Sequence, residues 1–135
     1  MLVSRHAIAT LILAVILFPI YEFKVLLLFA FGVFIDFDHY LDYVFNTKNF
    51  NPIKAYKVHM NEFENNLEVP KKLHLFHVVE FWILILALTL IFKNDYFYMI
   101  SLGLILHLSM DFIDMFKNHQ ENSRYLSLIH YFIDK

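Results

Sequence analysis

The sequence predicts an all-α protein, a four-helix membrane bundle made of two antiparallel helical hairpins, and three observations carry that expectation. Hydrophobic residues make up 59% of the chain, above the roughly 45–50% usual for soluble domains. Only two Gly and three Pro accompany sixteen Phe and eight Tyr, too few turn residues for a β architecture. The apolar runs Ala7–Ile20, Val25–Ile35, Phe81–Phe92 and Tyr96–Leu106 come in two pairs. Each pair is joined by a break short enough to force antiparallel neighbours.

Hairpin one is expected over 5–45. Arg5 before the first run imitates a secretory signal, but no small-residue cleavage site follows, so the segment reads as a retained helix. After Tyr21-Glu22-Phe23-Lys24 the second run continues through Asp36-Phe37-Asp38-His39 to Phe45, which gives it membrane length. A polar loop over 46–73 follows, in which Asn51-Pro52 and Val69-Pro70 bound a short amphipathic helix. Hairpin two covers 74–116, with Lys93-Asn94-Asp95 at its turn, and an interfacial tail covers 117–135. Runs of this length also suit the buried helices of a soluble bundle, which is the alternative.

Basic residues fall unevenly on such a layout. Arg5, Lys48, Lys54, Lys57, Lys71, Lys72, Lys117, Arg124 and Lys135 lie at the end holding the termini, against Lys24 and Lys93 at the other. The positive-inside rule then puts both termini of a multi-pass inner or plasma membrane protein in the cytoplasm. A net charge of −2 without a basic run argues against nucleic acid as a partner. The lipid membrane is the expected one.

Up-down-up-down helices bring the chemistry-bearing residues to one end. His6 opens helix one and Asp36, Asp38 and His39 lie near the close of helix two, while His74, His77 and Glu80 open helix three and His107, Asp111 and Asp114 close helix four. Residues three or four apart share a helix face, so Asp36 with His39, His74 with His77, His77 with Glu80, and His107 with Asp111 read as convergent pairs. With no Cys in the chain, a metal would be held by imidazole and carboxylate, a set that suits Zn²⁺, Mn²⁺ or Fe²⁺. The expected ligands are His6, Asp36, His39, His74, His77, His107 and Asp111. They are enough for one or two ions, with zinc first, and Glu80 or Asp38 is the expected general base. His59, His119 and His130, in the loop and tail, are expected to be ordinary surface residues.

Three segments resemble a known family. His6, then Asp36-Phe37-Asp38-His39, then Gly103-Leu104-Ile105-Leu106-His107-Leu108-Ser109-Met110-Asp111 follow the order and spacing of the membrane-bound metal-dependent hydrolases, including the LexA-binding inner-membrane-associated hydrolases. The family's remaining motif, His-Arg-x-x-Thr-His-Ser, is matched only by His77 at its last His, and Lys72 stands where its first His would be. His74 and Glu80 as substitute ligands would give a set similar to the metal sites of zinc-dependent phospholipase C and P1-type nucleases. The resemblance implies hydrolysis of a phosphoester or lipid-derived substrate. The alternative is a non-enzymatic membrane metal-binding protein, a transport accessory or sensor.

Overall fold

The first apolar run forms α1, Val3–Tyr21, whose nineteen residues rise about 28 Å. A 3₁₀ turn at Glu22–Lys24, with Glu22 at a φ of 52°, reverses the chain, and α2, Val25–Val33, returns along α1. These elements belong to a computed structural model that describes residues 3–64, 71–117 and 124–135. The expected tail residue His119 lies outside the described residues.

The second apolar run is not one long helix. A 3₁₀ turn at Phe34–Asp36 separates α2 from α3, Phe37–Thr47. The tighter winding re-aims successive side chains, so Asp36 and Asp38 leave the backbone toward different neighbours.

Within the expected polar loop the chain forms α4, Pro52–Glu64. Asn51 starts it, its side-chain oxygen accepting from the Ile53 and Lys54 N–H groups at 3.0 and 3.1 Å while Pro52 fills the first turn. Further on, β1, Lys72–Leu73, pairs in parallel with β2, Arg124–Tyr125. This two-residue ladder fastens the loop to the tail.

The start of the third long helix needs correction. His74 is extended, Leu75–His77 is a 3₁₀ turn, Val78 is extended, and α5 begins only at Val79, ending at Phe92. The Val79 N–H is taken by the Leu126 carbonyl at 2.9 Å, so the approach to α5 is set by the tail. His74, His77 and Glu80 therefore do not share a helix face.

Lys93 in the left-handed region ends α5, and α6, Asp95–Lys117, follows and packs on α2 and α5. Lys24 Nζ donates to Asp95 Oδ2 at 2.6 Å, which ties the two reversal turns together at one end. The last element is α7, Leu128–Ile133.

The chain's two glycines lie where α1, α2 and α6 meet. A Cβ on Gly103 would collide with the Leu28 carbonyl oxygen and come 3.1 Å from the Gly32 nitrogen, while one on Gly32 would come 2.6 Å from Thr10 Cγ2. Absent side chains thus let α6 approach α2 backbone to backbone, one helical turn before His107 and Asp36.

Burial is inverted relative to a soluble domain. Among the described residues, buried polar or charged side chains are as numerous as buried hydrophobic ones, while Ile8, Leu11, Ile12, Val15 and Ile16 of α1 and Ile83, Leu84, Leu90 and Ile91 of α5 are exposed. The helical stretch Val3–Thr47 and α6 are long and apolar enough to cross a membrane, and α5 is apolar but shorter.

Candidate metal centre

Four helical segments deliver the deepest group. Asp36 comes from the turn after α2, His77 from the turn before α5, and His107 and Asp111 from successive turns of α6. One ligand atom from each lies within 4.8 Å of every other. His107 Nε2 is 3.3 Å from both His77 Nε2 and Asp36 Oδ1 and 3.9 Å from Asp111 Oδ2, and His77 Nε2 is 3.6 Å from Asp36 Oδ1 and 3.5 Å from Asp111 Oδ2. A tetrahedron of N and O ligands about 2.0–2.1 Å from zinc has edges of about 3.3–3.4 Å. The five separations above lie close to these edges, so the four residues could hold a metal ion.

The outward nitrogens are already committed. His107 Nδ1 is 3.1 Å from the Gly32 carbonyl, and His77 Nδ1 is 3.0 Å from Asp38 Oδ2. Both partners only accept, so the proton sits on Nδ1 and both Nε2 lone pairs face inward, the arrangement typical of metal-bound histidine. Two bare nitrogens 3.3 Å apart repel unless a cation stands between them. Without metal, a proton serves: burial works against charge on His77, but Asp36, Asp38 and Asp111 outweigh it and raise its pKa to about 9.

His6 joins from α1. Its ring is wholly buried, stacks on His107 at 4.0 Å, and places Nε2 3.3 Å from Asp111 Oδ1, with no hydrogen bond at either nitrogen. Thr10 below it donates to the His6 carbonyl at 2.5 Å.

A second group, Asp38, His39 and His74, lies toward α4 and also offers ligand atoms within 4.8 Å of one another. Asp36 joins the two groups, since its Oδ1 is 3.3 Å from His107 Nε2 and 3.4 Å from His39 Nε2. Burial, reinforced by His39, pushes His74 well below the ordinary histidine range, which leaves its ring neutral.

All seven residues expected as ligands thus meet at one end, but the expected bases separate. Asp38 Oδ2 accepts from the Phe76 N–H at 3.1 Å as well as facing His77, which makes Asp38 an orienting group for that ring. Glu80 is not brought into either group. Its carboxylate accepts from Ser127 Oγ at 2.6 Å and from the Leu128 N–H at 3.0 Å, holding the start of α7. Asp114 faces Arg5 at 3.8 Å, outside both groups, and Lys72 binds Glu62 at 2.7 Å.

Two participants are not evident from the linear sequence. Arg124, from the tail, donates to Asp111 Oδ2 at 3.0 Å, with its backbone paired to Lys72 in the β1–β2 ladder. His59, expected at the surface, is half-buried beside His39 with ring centroids 4.5 Å apart. Burial, reinforced by His39, pushes its pKa down to about 3. Its one available signal was the i, i+4 spacing from Ala55, which places both on the inner face of α4.

No family model, curated protein or solved structure matches this chain. The site is therefore read from its own geometry.

Proposed function

We propose that this chain is a multi-pass membrane protein that hydrolyses an ester, with a divalent cation held by Asp36, His77, His107 and Asp111. The observation that carries this reading is the gathering of four ligand atoms within 4.8 Å of one another, two of them on imidazoles whose other nitrogens are already bonded. Zinc is the first expectation, with manganese or iron as alternatives. When bound, such an ion lowers the pKa of water toward neutrality and polarises the bond under attack.

The chain's own residues supply the rest. Asp36 is the most exposed of the four, with a side chain 16% exposed against 7% for Asp111 and 0% for both histidines. It borders a cavity of about 420 Å³ whose walls include Val3, Phe37, Tyr40 and Tyr56. Attack from that side would have Asp36 yield its place at the ion to an incoming water and accept that water's proton, with His77, His107 and Asp111 keeping the ion, in place of Glu80, which is bound to the tail. Arg124, donating to Asp111 Oδ2 at 3.0 Å, offsets part of the negative charge of the deep group. Apolar and aromatic cavity walls favour a substrate with an apolar part, such as a phosphoester or other lipid-derived ester.

Membrane insertion is supported by the exposed aliphatic faces of α1 and α5 and by the two long apolar stretches. A hairpin layout with the site and both termini at one end, and the excess of basic residues at that end, support a cytoplasmic site. A non-enzymatic metal-binding protein is the second reading. One observation favours it: four protein ligands already complete a tetrahedron, as in closed structural sites.

A metal-loaded protein in detergent, assayed on phosphoesters and carboxylesters of graded chain length, tests the proposal. Turnover that disappears with chelation and in Asp36→Asn supports hydrolysis. Retained metal with no turnover on any substrate favours the binding protein.

A further inference from the structure

Within the second group, three buried atoms have no hydrogen-bond partner among the described residues: Asp38 Oδ1, His39 Nδ1 and His74 Nδ1. They belong to the three residues of the second group, and His74 Nδ1 lies 4.0 Å from Asp38 Oδ1. The His74 side chain is only 6% exposed and that of Asp38 5%. Buried polar atoms are rarely left without partners, and three on residues whose ligand atoms come within 4.8 Å of one another can share a common one. His39 turns Nε2 toward Asp36 Oδ1 at 3.4 Å, so the proton belongs there and Nδ1 is bare. One carboxylate oxygen and two imidazole nitrogens form an acceptor-rich set that a divalent cation satisfies at once.

A fourth donor stands beside them. On α4, Ala55 and Met60 are buried and His59 between them is half-buried on the same inner side. Its ring centroid is 4.5 Å from that of His39, which is 3.9 Å from that of His74. The Lys72–Glu62 pair, 2.7 Å apart, holds α4 in this place. His59 and His39 also line both the 420 Å³ cavity and a larger one of about 730 Å³ that reaches Asp38 and His74.

We propose that Asp38, His39 and His74 hold a second divalent cation and that His59 is its fourth ligand, so that the ion clamps α4 over the end of the helices. The proposal rests on the metal-centre reading above and extends it to a binuclear site joined through Asp36. It assigns α4 a role as a metal-fastened cover between two cavities.

Elemental analysis of the full chain, purified in detergent and equilibrated with buffered zinc, tests it. The expected result is two ions per chain in the wild type and one in His74→Ala. In His59→Ala the second ion should bind at least about tenfold more weakly, a typical lower bound for losing a supporting group at a metal site, while the first is unchanged. His59→Glu should restore part of that affinity, and Trp82 fluorescence checks that each variant is folded. Amide exchange in α4 should slow on zinc binding in the wild type but not in His59→Ala.

A wild type that takes one ion, lost in His107→Ala and kept in His74→Ala, overturns the second site and leaves the deep centre standing. Two ions with unchanged affinities in His59→Ala remove His59 from the site. No bound ion in the wild type overturns both the proposal and the reading beneath it.

Discussion

The two ends of the molecule are held together by opposite means. At the end of the reversal turns, Ala14, Val25, Leu28 and Met99 form an apolar cluster with Leu13, Leu17 and Tyr21 around it, and the Lys24–Asp95 ion pair sits outside. At the other end the interior contains His6, Asp38, His74, His77, His107 and Asp111, all buried. Packing suffices for the first, because each methylene gains contacts that need no partner. The second would be a destabilising set of buried charges unless a counter-charge were shared among them. The glycine contact between α2 and α6 lies at the boundary, where close backbones let one end be dry and the other be a site.

The comparison breaks if both ends respond alike to substitution. The largest effect is expected from His107→Ala, which removes an inward nitrogen and should weaken binding to the deep group by about 100-fold or more, judged against the 10–100-fold typical of losing an outer supporting group. Isothermal titration with zinc checks it. Leu28→Ala, in the apolar cluster, should cost about 2–5 kcal/mol of stability and leave zinc affinity unchanged. Thermal unfolding with and without zinc separates the two.

A second expectation follows from the proton on His77. Its pKa without metal is raised from 6.5 to about 9, so the stabilisation it gives the metal-free protein is fully present below about 6.5 and is lost as pH rises through about 9. Zinc must displace that proton, so affinity should climb roughly tenfold per pH unit up to about 9 and then level off. A flat profile between pH 6.5 and about 9, the window the shift defines, would sink the claim that His77 meets the metal.

Smallest of all should be the effect of Glu80→Gln on metal binding. Glu80 anchors the tail through Ser127 and Leu128, so zinc affinity should not change, while amide exchange over 126–130 should quicken. A loss of zinc in this variant would place Glu80 in the centre after all.

Apolar runs and the spacing of ionisable residues made much of this visible in advance. The two α6 candidates were legible because His107 and Asp111, one turn apart in an apolar stretch, must face the same way. The shared end was legible because short turns force neighbouring helices to alternate. His74, His77 and Glu80 show where such legibility stops, since helical spacing implied one face but an extended approach to α5 sent them to three different places. Nothing local foretold that approach.

What the sequence determined by itself was therefore the helical class, the apolar exterior and the identity of the candidate ligands, because periodicity and composition act within a few residues. What only the tertiary structure decided was the partition of those ligands into two groups, the removal of Glu80, and the arrival of Arg124 and His59. Those outcomes depend on contacts between residues far apart in the chain: a two-residue parallel ladder, a 3₁₀ turn that re-aims Asp36 and Asp38, and two glycines that let helices touch. Such contacts are fixed by the packing of whole elements, which no local pattern encodes.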